Sequence, residues 1–323
     1  MKTATRSGII RTVSSICAIF NHTDNTERSL TCLSRLAQQS RRPEHVVIVN
    51  YSAADSPSLQ DIRNLAVQTF SEGQVHIIQA ESSTEESAQG FLHAFQTLNA
   101  DFVWVLNNTT LPRPRALENL LAEDADDRTV RISTFIDPAA ENELSRPLIV
   151  LEGNEECRKG IIHRADLPAG NAITCRGRWL GALYPRAIIQ DAGIPDNKLF
   201  INGENEEYPW KAKAAGYKFI TVLNSELEHP AASRLPLHYH FLNRSFIYEP
   251  GLPISRQYYK NRNWAWLRRL RAPRCYARRL VACGLFIGLS LISMLRCREL
   301  GIRRVYNLFR ALHNGFYGKL RPY

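Results

Sequence analysis

The chain has no CxxC pair, and its seven cysteines (positions 17, 32, 157, 175, 275, 283 and 297) are an odd number at irregular spacings. That excludes a zinc ribbon and a paired disulfide framework, and reads as reduced thiols in the cytoplasm. Residues 1–13 are polar and lack the apolar core of a signal peptide. No apolar run reaches the roughly 20 residues of a membrane-spanning helix. The longest, residues 280–295, has 16. Acidic residues are nearly missing from the end of the chain: from position 256 onward there are 16 Lys/Arg and one acid, Glu299. Of 41 basic and 31 acidic residues overall, that leaves 25 and 30, a net −5, in residues 1–255. A mildly acidic body with a strongly basic tail suggests a tail that meets an anionic surface. No recognised nucleic-acid module accompanies the tail, so a membrane is the better partner.

What is present is a regular alternation. Short apolar runs at 15–20, 45–49, 75–78 and 102–106 predict four strands. Between them, Leu30, Leu33, Leu36 and Ala37, then Leu59, Ile62, Leu65, Ala66 and Phe70, then Phe91, Ala94, Phe95 and Leu98 recur at helical spacing. Asp24 or Thr26 is placed to cap the first helix. Apolar strands alternating with helices predict a parallel sheet covered on both faces, an α/β nucleotide-binding arrangement. A further helix is expected over 115–123 and a short one over 185–192, with a strand at 219–223. Residues 124–172 give no clear pattern.

The most informative stretch is residues 102–114. A buried strand breaks into Asn107-Asn108-Thr109-Thr110 and closes on Pro112 and Pro114. Polar groups at the carboxyl end of a strand in such sheets mark the ligand-binding edge. Asparagines also favour turns because their side chains bond nearby backbone, so a purely structural role stands beside the functional one.

In the same order, several segments resemble the family 2 glycosyltransferases of the GT-A fold, in the rhamnosyltransferase and galactofuranosyltransferase-like branch. They are Ala18 to Asn21, Val46 to Val49, the 102–114 stretch, Gly193-Ile194-Pro195, Leu199 to Ile201, Gly203, Glu207-Tyr208, Gly216-Tyr217, Tyr258-Tyr259, Arg262-Asn263, and 311–320. The resemblance implies a GT-A nucleotide-sugar-binding (Rossmann-like) domain over 14–240. It would be preceded by a polar tail, 1–13, and followed by a basic helical, membrane-associated tail, 241–323, containing the apolar helix 280–295. It further implies a nucleotide-diphosphate sugar donor, a lipid-linked or polysaccharide acceptor, transfer with inversion, and a protein peripheral on the inner face of the plasma membrane.

The resemblance also assigns roles. Asn21, Asn50, Asn107, Asn108 and Thr109 fall at donor-binding positions, Glu204-Asn205 at the catalytic base and His229 at a metal ligand. Beside them, Arg113 reads as a phosphate ligand or the start of a surface helix, and Glu206 as a replacement base or part of a solvated acidic loop. In the family, aspartates at these turns hold Mg²⁺ or Mn²⁺ and take the acceptor proton. Here Asn50, Asn107, Thr109 and Asn205 stand in their place. A hard divalent cation is held by carboxylates and neutralises the leaving diphosphate, and an amide cannot act as a base. Three readings follow: a transferase in which Glu204 or Glu206 replaces the base; a catalytically inactive homologue that binds or scaffolds at the membrane; and a metal-independent transferase using Arg113, Arg115 and Glu204, since arginine forks match phosphate oxygens. For the apolar stretch 280–295, an in-plane helix anchored by arginines and an ordinary core helix are both of suitable length.

Overall fold

The computed structural model describes residues 15–22, 26–50, 56–80, 86–123, 125–152, 155–156, 160–196, 199, 203–230, 237–241 and 244–321. The expected polar tail (1–13), the capping residue Asp24, and Phe200 and Ile201 lie outside them, as do the side chains of Asn21 and Glu204.

The four expected strands form as β1 (Ile16–His22), β2 (His45–Asn50), β3 (Val75–Gln79) and β4 (Phe102–Val105). They run parallel in the order β3-β2-β1-β4. Their continuous apolar runs follow from burial on both faces: residues 16–20, 46–49 and 103–106 are all buried. Edge strand β3 is only half-buried. Helices α1 (Thr26–Ala37), α2 (Pro57–Thr69) and α3 (Glu86–Leu92) connect them. Pro57 opens α2 with its φ pre-set, and the Ser56 hydroxyl accepts from the Leu59 N–H.

Beyond β4 the sheet departs from the parallel expectation and becomes mixed. The remaining elements of the body are β5 (Leu111–Pro112), α4 (Ala116–Ala122), β6 (Thr129–Asp137), β7 (Ala140–Leu148), the short pair β8 (Leu151–Glu152) and β9 (Glu155–Glu156), β10 (Ile161–His163), β11 (Ala172–Thr174), β12 (Ala182–Pro185), α5 (Ile188–Ala192), α6 (Glu204–Ala214) and β13 (Lys218–Glu228). Strand β12 lies antiparallel between β4 and β6. The β6–β7 connection is a tight turn in which Asp137 Oδ1 accepts from the Ala139 N–H at 3.0 Å, and such a link permits only antiparallel pairing. Strand β13 runs parallel to β6 and extends to Glu228, five residues past its expected end. Pro185 closes β12, so the helix expected from 185 begins at Ile188.

The tail folds as β14 (Leu237–Phe241), β15 (Arg244–Tyr248), α7 (Ile254–Arg271), α8 (Tyr276–Arg296) and α9 (Ile302–Tyr317), around its own apolar cluster of Tyr248, Ala265, Phe286, Met294, Leu308 and Leu312. The RN motif acts here as a clasp. The buried Arg262 guanidinium donates to Asn263 Oδ1 at 2.8 and 3.0 Å and to the Arg321 carbonyl at 3.0 Å. The Tyr258 hydroxyl donates to that same carbonyl at 3.1 Å and accepts from Asn314 Nδ2 at 2.8 Å. Helices α7 and α9 meet at Gly315, where an added Cβ would overlap the Arg262 carbonyl oxygen. Gly284, exposed within α8, has nothing within 4 Å of such a Cβ.

The two glycines therefore respond in opposite ways. Gly315→Ala should cost about 1–3 kcal/mol by overpacking, whereas Gly284→Ala should be neutral or stabilising by up to about 1 kcal/mol. Urea unfolding of the two variants beside the parent chain checks both.

Candidate active site

Strands β1, β2, β4, β6 and β13 share a direction, so their carboxyl ends form one edge of the sheet. Two of the sequence-predicted groups meet there. Thr109, in the loop after β4, places its hydroxyl 3.4 Å from Nε2 of His229, which follows β13. The donors around His229 fix its tautomer. The Pro230 carbonyl, 2.9 Å from Nδ1, can only accept, so Nδ1 carries the proton. Nε2 is then an acceptor, and it receives an N–H from Arg146 Nη2 at 3.4 Å. Burial, with Arg146 and Arg178 close by, pushes the imidazole down to about 4 from its ordinary 6.5. It is therefore neutral at pH 7.

The asparagines divide between roles. Asn107 Oδ1 accepts from the Thr109 N–H at 3.1 Å and from the Thr109 hydroxyl at 2.9 Å, which closes the turn. Asn108 is buried and donates to the Ser29 hydroxyl on α1 at 3.4 Å. Asn50, buried at the end of β2, donates to Gln79 Oε1 at 2.7 Å and ties β2 to β3. Asn107 thus closes its turn, Asn108 ties the loop to α1, and Asn50 ties two strands.

Arg113 sits among carboxylates. Its guanidinium is enclosed by Glu141 (2.9 Å), Glu226 (3.1 Å) and Glu228 (3.2 Å). Burial would lower its affinity for the proton, but these carboxylates outweigh that and hold it above its usual range. A phosphate at Arg113 would face three negative charges, so its place in the structure is that of an ion-pair hub. Arg115 points outward and pairs with Glu118 at 3.0 Å.

On α6, Glu206 lies at the surface, with Oε2 4.0 Å from Arg176 and 3.7 Å from Arg271 of α7. Its neighbour Glu207 is buried, pairs with Lys211 and accepts from the Asp196 N–H at 3.3 Å. Burial raises its proton affinity. The helix is held by Tyr208, which donates to the Gly193 carbonyl at 2.9 Å and sits among Phe91, Trp179 and Tyr184 at 5.2–5.4 Å between ring centres. The Gly193-Ile194-Pro195 and Glu207-Tyr208 segments thus touch one another and orient the turn that carries Glu206.

The sequence reading missed a cleft beside His229. A cleft of about 60 Å³, open to solvent, lies between β6, β7 and the turn before β12, lined by Arg146, Arg176 and Arg178 among others. Phe135 is its hub. The Arg178 and Arg146 guanidinium carbons lie 4.9 and 5.9 Å from its ring centre, and the His229 ring is edge-on at 5.9 Å. Arg178 donates to the Pro147 carbonyl at 3.2 Å. The Arg176-Gly-Arg178 repeat was the one local signal for this cleft. Arg146, 83 residues from His229, gave none.

These residues do not fit a divalent cation. Among the described residues no three or more of His, Cys, Asp and Glu are grouped to hold one. The single imidazole lone pair already faces a guanidinium, and the oxygen of Asn107 is taken by its own turn.

The His229 environment makes stability depend on pH. The unfolded chain takes this proton near pH 6.5 and the folded chain only near 4. Between those values the unfolded state binds more protons, so stability should fall as pH drops through this window. Urea titrations of the parent chain and His229→Gln check this, the variant showing the shallower fall.

No family profile matches the chain. Over 216 residues it is 27% identical to galactofuranosyltransferase GlfT1 of Mycobacterium tuberculosis, a match covering 62% of this chain and 65% of that protein. Over 238 residues it is 24% identical to GlfT1 of Mycolicibacterium smegmatis, covering 68% and 72%. The chain thus spans 65% of the length of the M. tuberculosis relative. Among solved structures, S. aureus TarS 1–349 in complex with UDP superposes with a TM-score of 0.50 at 12% identity, covering 94% of this chain and 88% of that one. GalNAc-T7 with UDP, GalNAc and Mn²⁺ gives 0.51 at 12% identity, covering 80% and 51%. The chain thus has the GT-A fold of these solved structures, and over part of its length its sequence is similar to the galactofuranosyltransferases.

Proposed function

We propose that this chain transfers a hexosyl group, with inversion, from a nucleoside diphosphate donor to a lipid-linked or polysaccharide acceptor. The observation that carries the reading is the meeting of Thr109 and His229. They are 120 residues apart in sequence and adjacent at the carboxyl edge of the sheet, where nucleotides bind in α/β folds. The similarity to galactofuranosyltransferases supports it and makes UDP-galactofuranose the first donor to test.

In this reading the acceptor hydroxyl oxygen attacks the anomeric carbon, the bond to the diphosphate breaks, and a carboxylate takes the hydroxyl proton. Glu206 is that carboxylate. It stands on the helix turn expected to carry the base, and its partner Arg176 lines the cleft. Asn205 has no basic oxygen for the role.

The tail is proposed to rest on the cytoplasmic face of an anionic membrane. Helix α8 has 21 residues, with mean hydropathy 1.7 over its most apolar 18, and exceeds the expected 16-residue run because 276–279 and Arg296 join it. One face packs into the tail cluster through Phe286 and Met294. Val281, Leu285, Ile292 and Leu295 line an exposed face at helical spacing, as do Ile302, Tyr306 and Phe309 on α9. This supports a helix lying in the interface with basic flanks.

Two measurements test these readings. Glu206→Gln should lower the turnover of UDP-galactofuranose by about a hundredfold or more while leaving UDP affinity unchanged. A parent chain that binds UDP yet transfers no sugar from any donor would favour the inactive binding protein instead. In flotation assays the chain should rise with anionic vesicles, and a Val281→Glu, Ile292→Glu double variant should stay at the bottom.

A further inference from the structure

Arg146, Arg176 and Arg178 converge on one cleft. Each guanidinium carries five N–H donors and cannot accept. Arg146 directs one at His229 and Arg178 one at the Pro147 carbonyl. Among the described residues, no ion pair with a carboxylate joins either Arg146 or Arg178. Several other arginines of the chain are ion-paired. Arg113 meets three glutamates, and Arg35, Arg41, Arg115, Arg128 and Arg164 each meet an acid. Like charges held close together are costly, although Glu249 acts in the opposite sense on Arg146. Burial and the nearness of Arg146 pull Arg178 down to about 9. Both guanidiniums lie over the Phe135 ring, Arg178 at 4.9 Å and Arg146 at 5.9 Å from its centre.

We propose that Arg146 and Arg178, with Arg176 at the rim, bind the diphosphate of the donor directly and take the place of the divalent cation. The inference rests on the nucleotide-sugar reading above and deepens it. The position of Arg146 is the main argument. Its guanidinium occupies the space against the His229 Nε2 lone pair and beside Thr109, where an acidic loop would otherwise hold a metal. Thr109 and Asn107 are neutral, so an arginine there is not drawn into an ion pair that would block an anion. A bound diphosphate would bring negative charge to Arg146 and Arg178, which have no carboxylate ion pair among the described residues. Planar forks suit two adjoining phosphates. When the sugar bond breaks, the same forks stabilise the charge that develops on the leaving oxygen.

The test is calorimetric titration of the full chain with UDP and with inorganic pyrophosphate, in EDTA and again with Mn²⁺. Both ligands should bind in EDTA, and Mn²⁺ should leave their affinities essentially unchanged. Arg146→Gln and Arg178→Gln should each weaken both ligands by about tenfold or more, while Arg128→Gln, whose partner is Asp191, should not. In case a variant folds poorly, the parent chain is also treated with phenylglyoxal in EDTA. UDP should shield Arg146 and Arg178 from modification, as read by peptide mass spectrometry. Binding of UDP only when Mn²⁺ is present would overturn the arginine site while leaving the transferase reading standing. Binding in EDTA without shielding of either arginine, or unaffected by both variants, would also overturn it. Failure of both ligands to bind under either condition would remove the nucleotide-sugar reading together with the inference.

Discussion

Arg146 aims an N–H at the neutral imidazole of His229 from 3.4 Å, and the character of the whole edge depends on that contact. A guanidinium cannot share a lone pair with a metal ion. Once it is seated there, carboxylates in the loop after β4 would pair with it and close the cleft. A neutral loop, Asn107 to Thr110, instead leaves the positive charge available. The neutral side chains of Asn107 and Thr109 and the presence of Arg146 are therefore one arrangement. The acids that do lie close by, Glu226 and Glu228, are held by Arg113 on the same strand edge.

The scaffold explains how residues so far apart in sequence reach one place. Parallel strands put successive carboxyl ends on one edge, so β4 and β13 deliver Thr109 and His229 side by side. Strand β12, antiparallel between β4 and β6, positions the turn that carries Arg176 and Arg178. The aromatic group of Phe91, Trp179, Tyr184 and Tyr208 ties that turn to α6, which bears Glu206. A change deep in that group would move Glu206 and the arginines together.

Much of this was legible in the sequence. Buried strands flanked by helices announce themselves by continuous apolar runs, and β1 to β4 appeared where expected. The turn chemistry of Asn107 was legible as well, because an asparagine bonds its own neighbours wherever it sits. The RN motif was visible as a motif, yet its work as a clasp on Arg321 depends on a return of the chain some 60 residues later, for which there is no local sign. The same limit hid Arg146, whose meaning comes from His229. It also made Arg113 look like a phosphate ligand, since Glu141, Glu226 and Glu228 are distant in sequence. The mixed sheet escaped notice because residues 124–172 lack the apolar periodicity that marks the first half.

The most direct measurement is an experimental structure of the full chain with UDP bound, prepared in EDTA. The account predicts the diphosphate oxygens within hydrogen-bond distance of Arg146 and Arg178, beside Thr109 and His229, with no metal bridging them. A diphosphate seated away from both arginines, or one held through a cation recruited despite the chelator, would contradict it.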